Sequence, residues 1–218
     1  KYSGICLFLP NLEKIDYKRI LQGVGKYPII SLTPMKNPTI DTVSFDSYSG
    51  GYMIAKHFEE QGYKNFGIVS GPGDAVDAVF RKNGFVDHIS EKEDLKLVWE
   101  YRGDFSSESG RDAFNDYKNQ NIPDMAIFGC NDHTCFGFMK EALEAGFKIP
   151  KDFIIAGYDN LSFCENFTPE LTSVATNFDI LGKRAIRTIE NMVNDSNEII
   201  RQFSMVPVEI VIRSSTQN

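Results

Sequence analysis

Apolar residues recur along the chain in two rhythms. Short β-branched and apolar runs lie at Ile5 to Leu9, Ile29 to Leu32, Thr42 to Phe45, Asn65 to Ser70, Lys96 to Tyr101, Met125 to Gly129 and Phe153 to Tyr158, and each predicts a strand. Between them the spacing turns helical. Gly51, Ile54, Ala55 and Phe58 share one face, as do Cys135, Phe138, Met139 and Ala142, and then Leu181, Ala185, Ile189 and Met192. Gly62 and Gly146 stand where helices should stop. The strands are apolar throughout rather than alternating: Ile127 with Phe128, and Ile154 with Ile155, demand burial on both sides. Such strands belong in parallel sheets covered by helices, so the expected class is α/β. Asn160 to Glu170 is polar and aromatic by turns and holds Pro169, which predicts a loop beside a strand end.

Composition narrows the function. Of 218 residues, 42% are apolar and 24% charged, enough for a packed core without staples. Lys and Arg total 23 against 30 Asp and Glu, and the net charge of −7 argues against gripping nucleic-acid phosphates by bulk charge. No run approaches the roughly 18 apolar residues of a membrane span, and no signal peptide is visible, so a cytoplasmic location without membrane contact is expected. The sequence starts at Lys1 rather than Met, which leads us to expect further segments in the full protein. Cys6, Cys130, Cys135 and Cys164 form no C-x-x-C pair; Cys6 and Cys130 sit in apolar runs and read as reduced, buried thiols.

Enzyme signatures are missing. There is no nucleotide P-loop, no dinucleotide fingerprint, no nucleophile elbow and no H-E-x-x-H. Gly71-Pro72-Gly73 follows a strand without the Lys of a phosphate loop. Cys130 and His133 read as a strand-end thiol and a first-turn helix residue rather than a metal pair. Thirty acidic residues make any chosen carboxylate pair uninformative without geometry. His57, Glu59 and Glu60 read as an exposed helix face. No catalytic residue, cofactor or metal is expected.

A series of short blocks carries more information than any single motif. They are Asp46, Gly50, Gly51 and Ala55; Ser70-Gly71-Pro72 followed by Arg81 to Phe85; Gly103-Asp104-Phe105 with Ser109-Gly110; Asn131-Asp132 with Gly137; Gly157-Tyr158-Asp159-Asn160; Thr168-Pro169-Glu170-Leu171-Thr172; Leu181-Gly182; and Arg213-Ser214-Ser215-Thr216. In order and spacing they resemble the sugar-sensing module of the LacI/GalR family of bacterial transcription factors, over almost all of Asp46 to Thr216. The resemblance implies a two-lobed periplasmic-binding-protein-like fold with three crossovers, near Phe45, Thr176 and Val206. Residues 1–45 with 177–205 would form an incomplete N-terminal lobe, and 46–176 with 206–218 the C-terminal lobe. The family's helix-turn-helix DNA-binding domain is not in this sequence.

By the same resemblance, Asp159, Arg81, Asn131 and Phe105 are ligand-binding candidates, and Asp77, Ala75 and Thr176 occupy positions that vary with effector. Most follow strand ends, where ligands sit in open α/β sheets. Their chemistry suits a hydroxyl-rich molecule: Asp159 accepts from adjacent hydroxyls, Arg81 donates through a planar fork, Asn131 does both, and Phe105 offers a flat face. Each has a plainer role too. Asn131 and Asp132 are good helix caps, Asp159 can close a turn with Asn160, Arg81 can lie on a solvated helix face and Phe105 can be core. Thr33 stands where many sugar-binding relatives are acidic, and Ala75 where a nucleobase-sensing relative has Arg, which counts against a purine effector. The implied partners are a sugar-like effector, operator DNA through the separate domain, and a second copy in a homodimer. The rival is a periplasmic sugar-binding protein of a transport system; Thr168 to Thr172 and the Arg213 to Thr216 ending favour the regulator.

Overall fold

The computed structural model describes residues 3–9, 14–25, 27–35, 39–120, 122–194 and 203–217. The chain divides into two compact units. One comprises Lys1–Asp46, Ala75–Asp77 and Asn177–Pro207; the other comprises Ser47–Asp74, Ala78–Thr176 and Val208–Asn218.

The first unit holds strands β1 (Ile5–Leu7), β2 (Ile29–Ser31) and β3 (Asp41–Phe45), helix α1 (Lys14–Val24), and, from later in the chain, α6 (Phe178–Asn194) and β9 (Phe203–Val206). Its sheet runs β1-β2-β3-β9, parallel throughout. Ile30, Val43 and Val206 meet Leu181 and Ala185 of α6, while Ile29 and Ile40 gather Ile5, Leu7, Ile20, Leu21 and Val24. Adjacent strand residues thus feed two clusters, as Ile29 and Ile30 do.

The second unit contains α2 (Ser47–Glu60), β4 (Asn65–Ser70), α3 (Val76–Ser90, bar its first two residues), β5 (Lys96–Arg102), α4 (Ser107–Tyr117), β6 (Met125–Gly129), α5 (Asp132–Glu144), β7 (Phe153–Asp159), a 3-10 turn at Ser162–Glu165, β8 (Thr172–Ala175) and β10 (Glu209–Val211). The sheet order is β10-β8-β7-β6-β4-β5, parallel except for β10 against β8. Two cores flank it. Ile127 and Ile155 join Trp99, Phe114, Phe138 and Phe153 on one face. Their neighbours Phe128 and Ile154 join Ile54, Phe58, Phe66 and Phe85 on the other. The doublets that predicted two-sided burial do supply both layers.

Several expectations need correction. The first strand does not extend to Leu9: β1 stops at Leu7, and Phe8 and Leu9 are exposed. Cys6 is exposed, because Ile5 and Leu7 take the inward side of a strand with period two; Cys130 is buried as expected. His57 and Glu59 are not a plain exposed face. His57 is 4% exposed and its Nε2 lies 2.8 Å from Thr216 Oγ1, while Glu59 binds the buried His88 at 2.8 Å. Glu60 alone is exposed. The short strands β8, β9 and β10 escaped the sequence reading, and Asn160 to Glu170 contains a 3-10 turn rather than loop alone. Gly62 and Gly146 do end helices, each at φ +88°, with Tyr63 N–H bonded to Phe58 O and Phe147 N–H to Ala142 O.

The paired glycines set the helix spacing. A β-carbon on Gly51 of α2 would run into the Arg81 carbonyl of α3, and one on Gly84 of α3 into the Tyr48 carbonyl of α2. The same reciprocity joins α4 and α5: Gly110 faces the Thr134 carbonyl and Gly137 the Ser107 carbonyl. Neither contact can yield by rotating a side chain, since backbone meets backbone. Gly51→Ala should therefore lower unfolding free energy by about 1–3 kcal/mol through overpacking, read as a reduced urea midpoint; an unchanged midpoint would show that the helices separate freely.

Candidate functional site

The second unit's parallel strands end together at Ser70, Arg102, Gly129 and Asp159, and the segments that follow carry most of the predicted site. Arg81 comes from the second turn of α3. Its Nη1 donates to the Cys130 carbonyl at 2.6 Å and its Nη2 to Asp159 Oδ1 at 3.2 Å. The guanidinium carbon lies 3.8 Å from the centre of the Tyr158 ring and 5.8 Å from that of Phe105. Charge-assisted bonds and two aromatic faces thus meet one cation. The Arg81 side chain is 11% exposed and that of Asp159 27%. Of the pair, the carboxylate is the more accessible to an incoming molecule.

Asn131 is the N-cap of α5: its Oδ1 accepts from Thr134 N–H at 3.0 Å. Its Nδ2 donates to the Phe105 carbonyl at 2.9 Å, so the residue also holds the loop in which Phe105 takes φ +71°. Thr176 Oγ1 donates to the Asp159 carbonyl at 3.1 Å. Arg81, Phe105, Asn131, Asp159 and Thr176 therefore form one connected group within the second unit. Asp77, in the first turn of α3, and Ala75 fall in the first unit. Thr33, also in the first unit, is buried with its hydroxyl 3.3 Å from the Leu9 carbonyl.

Asp132 differs from its expected role as a cap. It is fully buried, and its carboxyl accepts from Leu161 N–H at 2.8 Å and from the Ser173 hydroxyl at 2.6 Å. Loss of solvent pushes its pKa up to about 6 despite those donors. Sequence reasoning also missed Tyr158 as the platform for Arg81 and Ser173 as a buried partner. Asp132 stood in the right block, but polarity in a first helical turn is a surface signal, and nothing in one sequence pairs it with a serine 41 positions on. Cys130 and His133 part ways: the thiol is buried, which raises its pKa to about 12, while the exposed imidazole lies against Phe163. Among the described residues, no three metal-ligating side chains converge, and no helix is long and apolar enough to cross a membrane.

A family model for the periplasmic binding protein-like domain matches residues 55–216. The chain belongs to this family. Its relatives identify it as an effector-binding module of the LacI/GalR type. The HTH-type transcriptional repressor PurR of Mannheimia succiniciproducens is 30% identical over 207 residues, covering 94% of this chain and 61% of that protein. PurR of Photobacterium profundum is 32% identical over 220 residues, covering 100% and 65%. The module thus spans less than two thirds of these repressors. A LacI family transcriptional regulator from Enterococcus faecalis, solved with bound ribose, superposes with a TM-score of 0.84 at 27% identity, covering 99% of the module and 78% of that chain. The lac repressor dimer bound to operator and the anti-inducer ONPF gives 0.87 at 22% identity, covering 99% and 64%, which speaks for the fold.

The raised pKa of Asp132 makes the module's stability depend on pH. Its folded value of about 6 exceeds the ordinary 3.8, so between these pH values the native state holds a proton that the unfolded chain has released. This contribution is fully present below about pH 4 and is lost as pH rises through 6. His57 acts in the opposite sense, because burial lowers its pKa from 6.5 and disfavours its charged form. Comparing the protein with Asp132→Asn at each pH isolates the carboxyl. The stability difference, unsubstituted minus variant, should fall by about 3 kcal/mol between about pH 4 and pH 7 and level off above; urea titrations showing a constant difference would refute the shift.

Proposed function

We propose that this module senses a small hydroxyl-rich effector, a sugar or sugar derivative, for a LacI-type bacterial transcriptional regulator. The observation that carries this reading is the partly accessible Asp159 carboxylate, braced by Arg81 and Thr176 in the same group as Phe105 and Asn131. A carboxylate accepts from neighbouring hydroxyls, and an adjoining aromatic ring covers the C–H face of a sugar. The ribose-bound relative supports the ligand class. The relatives named as repressors support a regulator over a transport protein.

In this reading residues 1–45 with 177–205 form one lobe and 46–176 with 206–218 the other, with the effector bound between them. Asp77 and Thr176 contribute to selectivity. The effector acts by preferring one lobe arrangement, since only a difference in affinity between two states moves their equilibrium. A helix-turn-helix domain outside this sequence reads operator DNA, a symmetric homodimer presents two such domains to paired half-sites, and the protein works in the cytoplasm without catalysing a reaction.

Calorimetry of the full-length protein tests this with D-ribose, other monosaccharides, disaccharides, phosphosugars and free nucleobases. At least one sugar should bind and the nucleobases should give no heat. Asp159→Asn should weaken the sugar by about 10- to 100-fold, the loss of one well-made bond to a charged group. No heat from any sugar or phosphosugar would overturn the proposal.

A further inference from the structure

Asp159 and Asn160 have φ of +107° and +54°, two successive residues other than glycine in a region that side chains disfavour. Such a turn persists only where its surroundings over-determine it, and here every residue of the turn is tied. The Asp159 carbonyl accepts from Thr176 Oγ1 at 3.1 Å. Asn160 N–H donates to Ser173 Oγ at 3.0 Å, and Asn160 Oδ1 accepts from Arg213 Nη2 at 2.8 Å. Leu161 N–H donates to Asp132 Oδ2 at 2.8 Å. The ties are themselves joined: Ser173 donates to Asp132 Oδ1 at 2.6 Å, and Arg213 Nη1 donates to the Leu171 carbonyl at 2.7 Å. Asp132, Ser173 and Arg213 are all buried. Gly157 makes room for the carboxyl, because a β-carbon there would run into Asp132 Oδ1.

We infer that Asp132, Ser173 and Arg213 are positioning residues for effector recognition, locking the turn at Asp159–Leu161 so that the Asp159 carboxylate is held toward its ligand. This rests on the sugar-sensing reading above and adds three residues that do not themselves touch the effector. Preorganisation of this kind raises affinity by removing the cost of ordering the binding group at the moment of binding.

The groups around Asp132 give the lock a pH signature. Ser173 of β8, the Leu161 amide and the Cys164 thiol all donate to it, Asp159 of β7 repels its negative charge, and Cys135 lies beside it on α5. These donors match the ionised carboxylate. A proton on Asp132 occupies one of its lone pairs and removes the charge that strengthens these bonds, which loosens the turn.

The test uses full-length protein with D-ribose as first probe and the sugar panel behind it. Ser173→Ala should weaken binding at least about 10-fold, with a thermal midpoint within about 4 °C of the unsubstituted protein. Without ligand, amide hydrogen exchange at Asn160 and Leu161 should speed up while the core strands stay protected. Sugar affinity of the unsubstituted protein should fall as pH drops through about 6, and Asp132→Asn should flatten that profile, an effect that loss of fold alone does not produce. Asp132→Asn also carries the exchange and affinity measurements if Ser173→Ala does not fold. Sugar binding that both variants leave unchanged, or unaltered exchange at Asn160 and Leu161, would overturn this inference while the sensing function stands. Absence of binding by the unsubstituted protein to every sugar would overturn the sensing function itself, and this inference with it.

Discussion

The Arg81 guanidinium is the constraint around which the second unit's site is arranged. A cation taken out of water to 11% exposure is costly unless it is paired and hydrogen-bonded. The protein meets it with the Cys130 carbonyl just past one strand, the Asp159 carboxylate at the end of its neighbour, and the face of Tyr158. Those partners come from β7 and from the residue that follows β6, whereas Arg81 comes from α3, so the ion ties helix to sheet. It reaches them because α3 lies against α2 with no side chain at Gly51 to hold the Arg81 backbone away. The glycine contact and the ion pair depend on each other: moving the helix outward by the thickness of a methyl group would draw the cation off its platform.

This geometry changes the weight given to each site residue. Read from sequence, Arg81 and Asp159 are two ligand contacts of equal standing. In the structure Arg81 is largely spent on the protein, and Asp159 keeps the larger open surface. Asn131 likewise divides its amide between capping α5 and holding the Phe105 carbonyl. The plain structural roles and the functional ones are therefore not rivals. A residue that caps a helix at the carboxyl edge of a sheet is, for the same reason, rigidly placed beside whatever binds there.

What could be read in the sequence follows from which forces act locally. Doublets such as Ile127-Phe128 and Ile154-Ile155 declared both cores, because burial on two faces leaves a pattern within a single short strand. Gly62 and Gly146 were legible for the same reason, each ending its own helix. The buried polar residues were not. His57 finds Thr216 across 159 positions and Asp132 finds Ser173 across 41, so their burial depends on partners that no local window contains. Thr172 and Ser173 are fully buried in β8, yet as hydroxyl residues they gave no strand signal. Cys6 failed in the other direction: an apolar run suggested burial, but a three-residue strand with one inward side leaves its middle residue out. The candidate site rests on the resemblance alone, since no spacing rule singles out Arg81, Phe105, Asn131 and Asp159 from their neighbours.

A sensor must convert binding into a shift between states, and the rigidity of the second unit bears on how this one would do so. Phe105, Asp159 and Asn160 have unusual backbone conformations and are tied by bonds within that unit. Under the proposed function, free energy gained by an effector on a surface that stays the same in every arrangement contributes affinity without switching. Under the proposed function, switching must therefore arise from contacts that differ between arrangements. The candidates for that role lie in the first unit, where Thr33 and Asp77 sit, and a preformed half-site would leave their smaller, state-dependent contributions to decide the outcome. On this argument affinity and response are separable properties of the molecule, governed by different residues.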